Sequence, residues 1–403
     1  MASPFAVRSF RFQWPADLAT SWAFEMEALI LGWYILETTG SVQQLVLVAA
    51  LVWLGSLFSP FFGVAGDRIG HRTLLCLTRG IYALLAAVLT ALILSGSLQA
   101  WHVFTIAGIA GLIRPSDNVM RHVLVGQTIP PGLLMRALGI SRTTSDSARV
   151  IGALTGTAGV AMLGMGPVYA LVTAMYVAAF ALSLGVARGQ PHTTNEHPLA
   201  GLKQGFRYVW NKPELLGAFT LAFLVNLLAY PFFLGLLPYV AKDVYGAGQA
   251  GLGWLAASFW SGAIVGSLAV GARQFSGHAA RVMLWNGALW FVGILVFGQT
   301  TWLAFGVVLL FGIGFVQSFC LTPLAAVMLR SSDDVMRGRV MGVRMLAIWG
   351  LPLGLLAAGP LIAAIGYVAT TVLYGGLGLA ATLAIGYGWR QALWNRAAAA
   401  NTA

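Results

Sequence analysis

Two carboxylates lie near the centre of the first long apolar stretch of the chain, ADLATSWAFEMEALILGWYI. Glu25 and Glu27 are two residues apart, a rotation of about 200° on a helix, so they point to nearly opposite faces. Burial disfavours the charged form of a carboxylate, so a group in a partly dry cavity can take up and release protons near neutral pH. We predict that at least one of them is a proton-coupling residue. The alternative is that each only forms a hydrogen bond with a neighbouring helix.

Glu25 is the stronger candidate because it continues a polar stripe. Asp17, Ser21 and Glu25 recur at a spacing of four, which places them on one helix face. We expect this face to line a central cavity, where Glu25 could also pair with a cationic group of a ligand.

Two later apolar stretches carry oppositely charged pairs. Arg114 and Asp117 are three residues apart, as are Asp146 and Arg149, so each pair can form on one helix face. Arg344 lies at a matching depth in a later stretch. Together these residues predict a cytoplasmic gate, whose charge pairs form when the protein opens outward and separate when it opens inward. Two alternatives stay open: a permanent structural network, and recognition of an anionic substrate by Arg114 or Arg149.

The composition defines the surroundings of these charges. Of the 403 residues, 59% are hydrophobic and 9% are charged, with a mean hydropathy of +0.82, whereas a soluble domain carries about 25% charged residues. Apolar stretches of about 20 residues recur throughout, each long enough to cross a bilayer as a helix, and a β-barrel would show short alternating segments instead. We predict an all-α membrane protein with twelve transmembrane helices, near residues 16–37, 42–65, 73–96, 101–122, 141–163, 166–187, 213–239, 250–272, 281–299, 301–329, 339–364 and 367–389.

The basic residues predict the orientation. Lys and Arg total 23 against 12 Asp and Glu, a net charge of +11. Those assigned to the side of the termini include Arg79 and Arg121, whereas the opposite loops hold only Lys242. By the positive-inside rule both termini are cytoplasmic, and we expect a multi-pass protein of the bacterial cell inner membrane. No pattern of basic and aromatic residues indicates a nucleic-acid partner.

A polar stretch divides the chain into two bundles of six helices, residues 1–187 and 213–403. The linker between them, residues 188–212, is the most polar part of the chain. In it, Leu202, Phe206 and Val209 follow a helical spacing with basic residues between them. This pattern predicts a short amphipathic helix on the membrane surface.

The two bundles repeat each other in part. GDRIGHR, after the second helix, resembles RQFSGHAAR at residues 273–281, after the eighth. Gly152 and Gly156 in the fifth helix match Gly350 and Gly354 in the eleventh, and small residues four apart let helices approach closely. This agreement favours a parallel repeat about an axis along the membrane normal. The alternative is coincidence, because the chain has 49 glycines.

A charged turn, GVAGDRIGHR, lies between the second and third helices. It resembles the signature loop of the major facilitator superfamily, Gly-x-x-x-Asp-Arg-x-Gly-Arg-Arg/Lys. The matching residues are Gly63, Asp67, Arg68, Gly70 and Arg72. His71 stands where Arg or Lys is usual. We expect Gly66 and Gly70 to permit the tight turn, and Asp67 to meet the positive N-terminal end of a neighbouring helix, the eleventh.

Two further stretches narrow the resemblance. Residues 129–156 and 337–361 are similar to the branch of this superfamily that contains the enterobactin exporter and macrolide efflux pumps. In the first stretch, Ala148, Arg149 and Gly152 match an Ala-Arg-x-x-Gly-Pro run that is typical of this branch, with alanine in place of the proline.

The resemblance implies that the first, fourth, seventh and tenth helices line a substrate cavity. Candidate substrate-binding residues on these helices are Trp22, Glu25, Arg114, Asn118, Asn226, Tyr230 and Gln317. The seventh helix also carries Pro231 and Pro238, which remove backbone donors and loosen it.

These features predict a secondary active transporter of the major facilitator fold that exports a small amphipathic molecule, a siderophore or drug, by alternating access and proton antiport. A transporter of lysophospholipid or of a nutrient is the first alternative, and a non-transporting receptor or scaffold is a distant one. We expect a monomer whose partners are its substrate, protons and membrane lipid. The chain carries no enzyme motif. Cys76 and Cys320 suggest neither a disulfide framework nor a metal site, and we expect no cofactor.

Overall fold

The chain folds almost entirely into helices. The computed structural model describes residues 3–187, 198–272, 279–333 and 336–391, and within these ranges no β-strand is present. The helices of the first half are α1 (Arg8–Thr39), α2 (Val42–Leu51), α3 (Ser59–Ile69), α4 (His71–Leu94), α5 (Ala100–Thr128), α6 (Pro131–Leu163) and α7 (Met165–Ser183). Those of the second half are α8 (Pro198–Asn211), α9 (Pro213–Leu224), α10 (Pro231–Leu234), α11 (Leu237–Tyr239), α12 (Gln249–Gly271), α13 (Ala279–Phe297), α14 (Leu303–Arg330), α15 (Arg337–Leu346), α16 (Gly350–Ile365) and α17 (Tyr367–Gly388).

Each of the twelve predicted spans coincides with one or more of these helices, so the all-α membrane fold is confirmed. Within the described ranges, 7 helical segments are long and apolar enough to cross a bilayer: α4, α7, α12, α13, α14, the continuous pair α15–α16, and α17. The other spans carry charges, as in α1, α5 and α6, or are interrupted, as between α2 and α3. The start of the predicted linker, residues 188–197, and most of RQFSGHAAR lie outside the described residues.

The seventh span is divided near its two prolines. Helix α9 passes into a π-helical turn, Val225–Ala229, before Pro231, and a second π-helical turn, Val240–Val244, follows Pro238. A proline has no backbone N–H and its ring clashes with the carbonyl four residues earlier, which interrupts regular α-helical hydrogen bonding. The seventh span is therefore loosened, as the sequence predicts.

The chain forms two compact units. The first unit comprises Met1–Asn195 and Ala241–Ala257, and the second comprises Glu196–Val240 and Ser258–Ala403. The start of α12 belongs to the first unit because it packs closely on α6. A Cβ atom built on Gly253 would lie 3.2 Å from the carbonyl oxygen of Ala153 and would clash with the Thr157 hydroxyl.

In the first unit, α6 packs on α1 through two glycines. A Cβ atom on Gly152 would lie 2.8 Å from the Cβ atom of Glu25, and one on Gly156 would lie 3.0 Å from the Cα atom of Met26. A Cβ atom at Gly152 has no room, and one at Gly156 would require α1 to move away by a few tenths of an ångström. The two positions are four residues apart and so form one contact face, as their spacing predicts.

In the second unit, α16 packs on the seventh span in the same way. A Cβ atom on Gly350 would lie 2.6 Å from the carbonyl oxygen of Phe223, and one on Gly354 would lie 2.9 Å from Cγ of Pro231. The fifth span thus packs on the first, and the eleventh packs on the seventh. This correspondence within each unit supports the internal repeat.

The described part of the linker forms helix α8, and the chain bends by 108° between it and α9. The position of α8 on the membrane surface stays a prediction. Val209 is buried, and a Cβ atom on Gly205 would lie 2.9 Å from the carbonyl oxygen of Arg339. This face therefore packs on α15. Phe206 and Trp210 are exposed on the remaining surface of α8.

An exposed ion pair lies at the junction between α8 and α9. Lys212 Nζ lies 3.3 Å from Asp333 Oδ1 and donates a hydrogen bond to the Tyr208 hydroxyl. Hydrogen bonding to Tyr208 and the opposite charge raise the pKa of Lys212 and lower the pKa of Asp333. The stabilisation is therefore lost as the pH falls through the Asp333 pKa or rises through the Lys212 pKa.

A bulky side chain in the glycine contacts should destabilise the protein. We expect Gly156→Leu in α6 and Gly354→Leu in α16 each to lower the melting temperature in detergent, because overpacking costs about 1–3 kcal/mol. Gly139→Leu is the control, since Gly139 is exposed on α6 and no neighbouring atom lies within 4 Å of its Cβ position. Equal melting temperatures for the Gly156 and Gly139 variants would contradict this packing.

Candidate functional site

Four buried charged side chains, here called the charge cluster, join three helices of the first unit. Arg79 of α4 contacts Asp17 of α1 and Asp117 of α5, with 2.9 Å between Arg79 Nε and Asp117 Oδ1. Arg121 of α5 donates to Asp117 Oδ2 over 2.7 Å and lies 3.4 Å from Asp17 Oδ1. The exposed fraction of the four residues is at most 7%. Two carboxylates and two guanidinium groups balance in charge.

Polar neighbours complete the charge cluster. Arg79 Nη1 donates to Ser183 Oγ of α7 over 2.7 Å, and Arg121 Nη1 donates to Ser21 Oγ of α1 over 3.0 Å. Gln13 Nε2 donates to the carbonyl oxygen of Arg121 over 2.8 Å. A buried ion pair offsets its desolvation only with good geometry and additional hydrogen bonds of this kind. The cluster therefore holds α1, α4, α5 and α7 in one arrangement.

The charge cluster corrects two expectations from the sequence. Arg79 and Arg121 are not loop residues but lie within α4 and α5. Asp117 pairs with Arg79 and Arg121 and not with Arg114, because the Arg114 side chain packs on aromatic rings instead. The signal available in the sequence was the i,i+4 spacing of Asp117 and Arg121 within an apolar helix, which favours a local ion pair.

Arg114 lies against two aromatic rings. Its guanidinium carbon is 3.5 Å from the ring centroid of Phe24 and 4.2 Å from that of Trp53, which is a cation–π arrangement. The Nη1 atom of Arg114 is buried without a hydrogen-bond partner. Arg114 can therefore still donate a hydrogen bond to an anionic group.

Glu25 lies beside a charge pair on α6. Its Oε1 atom is 3.7 Å from Arg149 Nε, and Arg149 Nη1 is 3.7 Å from Asp146 Oδ1. The predicted pair of Asp146 and Arg149 is thus confirmed, and Asp146 also accepts a hydrogen bond from Arg142 over 3.0 Å. The side chains of Glu25 and Arg149 are 13% and 34% exposed. Arg149 therefore has two carboxylates at the same distance, one on α1 and one on its own helix.

Glu27 has different neighbours from Glu25. It accepts hydrogen bonds from the hydroxyl groups of Tyr169 and Tyr176 on α7, the second over 2.7 Å. The two carboxylates therefore contact different helices, as their spacing predicts. Two hydroxyl donors hold Glu27 closely, whereas the ion pair of Glu25 is long.

The other candidate substrate-binding residues of the first unit differ in exposure. Trp22 Nε1 donates to Thr155 Oγ1 of α6 over 2.9 Å, so the indole lies along the same helix interface as Glu25. Asn118 is exposed on α5, and its carbonyl oxygen lies 2.7 Å from Nδ1 of His122.

In the second unit, the structure brings Tyr230 and Gln317 together. Gln317 Nε2 donates to the Tyr230 hydroxyl over 2.7 Å, and the Tyr230 ring packs edge-on against Trp290 at a centroid distance of 5.2 Å. The Oε1 atom of Gln317 is buried without a hydrogen-bond partner. Asn226 instead donates to the carbonyl oxygen of Ala222, one turn earlier, over 2.8 Å.

The signature loop forms the junction of α3 and α4. Gly70 makes the turn with a φ of +94°, a conformation that favours glycine. The remaining signature residues on α3 and α4 are Gly63, Asp67, Arg68 and Arg72. Arg68 is exposed, whereas Arg72 donates to the carbonyl oxygen of Leu184 beyond the end of α7. The loop thus connects the start of α4 to the end of α7.

One residue of this loop differs from expectation, and another makes a contact that the sequence did not predict. Gly66 does not make the turn but lies within α3, where a Cβ atom would lie 2.7 Å from Met120 Sδ on α5. Asp67 lies 3.2 Å from Nε2 of His71, the first residue of α4, and the buried His71 ring is 3.4 Å from Gln127. In this structure Asp67 therefore contacts the start of α4. Its contact with the eleventh span stays a prediction, as does the gating role of Arg344 in the last turn of α15.

Comparison with known proteins identifies the family. Residues 16–276 match the family model described as Major Facilitator Superfamily. The chain belongs to the major facilitator superfamily. It is a multi-pass membrane transporter with the fold that the signature loop predicts.

Two curated relatives of this transporter are efflux proteins. The multidrug efflux pump Tap of Mycolicibacterium fortuitum is 29% identical over 360 residues, which cover 84% of this chain and 85% of the relative. The enterobactin exporter EntS of Shigella flexneri is 26% identical over 291 residues, which cover 70% of this chain and 67% of the relative. The resemblance to the branch that contains the enterobactin exporter is thus confirmed.

Solved structures share the fold of this transporter at low sequence identity. The nucleoside transporter NupG aligns with a TM-score of 0.75 and 10% identity, covering 93% of this chain and 98% of that one. A POT family transporter in complex with 5-aminolevulinic acid aligns with a TM-score of 0.72 and 14% identity, covering 96% of this chain and 97% of that one.

Within the described residues, no group of three or more His, Cys, Asp or Glu side chains could hold a metal ion.

The charge cluster should be essential for folding. We expect Arg79→Gln to reduce strongly the yield of monodisperse transporter, because removing one partner of a buried ion pair costs about 3–5 kcal/mol. Arg142→Gln is the matched control: its side chain is 73% exposed, and an exposed ion pair contributes about 0–1 kcal/mol. Size-exclusion chromatography and melting temperature measure both variants. An Arg79→Gln transporter as stable as the control would exclude a stabilising role for the cluster.

Proposed function

We propose that this transporter exports a small amphipathic molecule of the drug or siderophore type in exchange for protons, and that protons and substrate share Glu25. The observation that carries the proposal is the position of this carboxylate. It lies inside a helix of the membrane-spanning part, is 13% exposed, and has its ion-pair partner Arg149 at 3.7 Å. Ionisable groups at such depth are costly and typically serve transport.

The hydrogen bonds favour Glu25 over Glu27 as the exchanging group. Protonation or substrate binding at Glu27 would have to compete with two hydrogen bonds from Tyr169 and Tyr176. At Glu25 it competes with one long ion pair. We assign Glu27 to joining α1 and α7, with a secondary role in proton coupling.

Competition at Glu25 explains exchange. A proton and a cationic group of a substrate each neutralise the carboxylate, so binding of one disfavours binding of the other. When either occupies Glu25, Arg149 keeps Asp146 as a partner at 3.7 Å. The Arg149 charge is then never left without a carboxylate, and its change of partner requires little movement.

The conformational part of the proposal rests on the signature loop. The loop ties α3 and α4 to α7 through the contacts of Asp67 with His71 and of Arg72 with Leu184. We assign a gating role to these contacts and to Asp146, Arg149 and Arg344 as the transporter alternates between its open states. Asp117 is assigned to the static charge cluster instead, because it is buried with two guanidinium partners.

The relatives and the basic loops support the location and direction of transport. The two relatives are a multidrug efflux pump and an enterobactin exporter. We propose the bacterial inner membrane as the location, with both termini in the cytoplasm, since the positive-inside rule places basic loops there. With Arg79 and Arg121 removed from the loop residues, the loops on that side keep their excess of positive charge.

Arg114 favours a second candidate function, transport of an anion together with a proton. Its buried Nη1 atom has no hydrogen-bond partner and could receive a carboxylate or catecholate oxygen. An anion that occupies Arg149 or Arg114 would release Glu25, which would then take up a proton. Anion and proton would therefore move in the same direction. In the first candidate function, substrate and proton move in opposite directions.

Replacing Glu25 should uncouple transport from protons. We expect Glu25→Gln to abolish substrate flux driven by a pH gradient in proteoliposomes, because the amide can neither release nor take up a proton. The measurement is uptake of a fluorescent cationic amphipathic compound under an imposed pH gradient. The uptake that remains after a protonophore has dissipated the gradient is subtracted as the uncoupled part.

Glu37→Gln is the matched control for this experiment. Glu37 lies near the end of the same helix, is exposed, and accepts a hydrogen bond from Trp33 over 3.0 Å, so its replacement should leave coupled flux nearly unchanged. Glu27→Gln should give an intermediate loss. Undiminished proton-driven flux by Glu25→Gln would exclude Glu25 as the shared site.

The charge of the substrate decides between the two candidate functions. For a cationic compound, an inward proton gradient should drive the compound outward. Arg114→Gln should leave this flux within about twofold of the unmodified transporter, because cation binding does not need Arg114. An anionic compound that moves with the protons, and whose flux is lost in Arg114→Gln, would establish the second candidate in place of the first.

A further inference from the structure

We propose that a groove on the second unit binds an anionic glycerophospholipid. The groove has a volume of about 300 Å³ and lies between α13 and α17. Leu284 and Ala288 of α13 form one wall, and Leu383 and Gly386 of α17 form the other. The site is separate from the charges of the first unit and does not depend on the proposed direction or coupling of transport.

The shape of the groove fits a hydrocarbon chain. It follows the last turns of α17 from Thr382 and reaches Arg390, just beyond the helix end, a length of about 12 Å at the rise of an α-helix. A Cβ atom at Gly386 would make an ordinary contact, 3.7 Å from Cδ1 of Leu284, so only a larger side chain there would occupy the groove. The Thr382 hydroxyl donates to the carbonyl oxygen of Gly378 over 2.7 Å. An occupant of this groove is therefore an apolar chain that needs no hydrogen bonds from the walls.

The end of the groove is suited to a lipid headgroup. Trp285 and Tyr387 flank it with exposed fractions of 62% and 73%, and tryptophan and tyrosine are enriched at the level of lipid headgroups. Arg390 also lines the groove, and its guanidinium carbon is 4.9 Å from the centroid of the Tyr387 ring. The aromatic ring thus holds a positive charge where the apolar part of the groove ends.

The charge of this end favours an anionic headgroup. Neither α13 nor α17 contains an aspartate or glutamate. Arg390 therefore meets no carboxylate from the two helices that form the groove. Basic groups between transmembrane helices bind the phosphates of anionic lipids. A zwitterionic lipid presents the same phosphate, but its ammonium group is repelled by the arginine, so its net attraction to Arg390 is weaker. The occupant to which this chemistry points is a lipid with a net negative headgroup.

Lipid-dependent stability tests the proposal. The purified full-length transporter is titrated in detergent with dioleoyl phosphatidylglycerol or with dioleoyl phosphatidylcholine, which have the same acyl chains. We expect phosphatidylglycerol to raise the melting temperature more than phosphatidylcholine does. In Arg390→Gln the affinity for phosphatidylglycerol should fall about fivefold and the difference between the lipids should disappear. Arg390→Lys, which keeps the charge, should retain most of the difference.

Two further variants separate the groove from general effects. Arg330→Gln removes an exposed arginine at the end of α14 and should leave the lipid response unchanged. Gly386→Leu should fill the groove and reduce binding of both lipids, which native mass spectrometry of lipid adducts measures directly. If Gly386→Leu fails to fold, the comparison of Arg390→Gln with Arg390→Lys still tests whether the charge at this position sets the lipid preference. An Arg390→Gln transporter with an unchanged preference for phosphatidylglycerol would overturn the proposal, as would equal responses of the unmodified transporter to both lipids.

Discussion

The charge cluster is the interaction on which the arrangement of the first unit depends. Arg79 is completely buried, and a buried guanidinium group without carboxylates carries a desolvation cost of the order of several kcal/mol. Its partners, Asp17 and Asp117, come from two other helices, so the cost is offset only when α1, α4 and α5 are assembled together. The polar face of α1 consequently has a fixed end at Asp17, and Glu25 lies two turns further along the same face.

The two sets of ionic contacts in this unit differ in a way that matches their assigned roles. Arg79 has a hydrogen-bonded carboxylate on each side and no access to water. Arg149 is one-third exposed and lies 3.7 Å from each of two carboxylates, too long for a strong hydrogen bond to either. The first set resists rearrangement, whereas the second can change partner. Each set includes a carboxylate of α1, Asp17 in the first and Glu25 in the second. The rigid charge cluster therefore holds the helix that carries Glu25.

The sequence predicted those features that depend on the position of a residue along one helix. The spans followed from apolar length, the opposite directions of Glu25 and Glu27 from the rotation per residue, and the Asp146–Arg149 pair from its spacing. Features that depend on contacts between helices were missed. Arg79 was assigned to the loop residues because hydropathy gives no sign of a carboxylate on another helix. Arg114 was expected to pair with Asp117 on its own helix because of their spacing. Its aromatic neighbours are distant in the sequence, so this spacing gives no sign of them.

The glycine contacts have a consequence for how this fold tolerates divergence. At Gly152, Gly156, Gly350 and Gly354 the facing helix contributes main-chain atoms, or atoms close to the main chain, at the point of closest approach. Contacts of this kind depend little on which side chains the facing helix carries. The side chains around them are then free to vary with the compound that is handled, while the helix pairs keep their spacing.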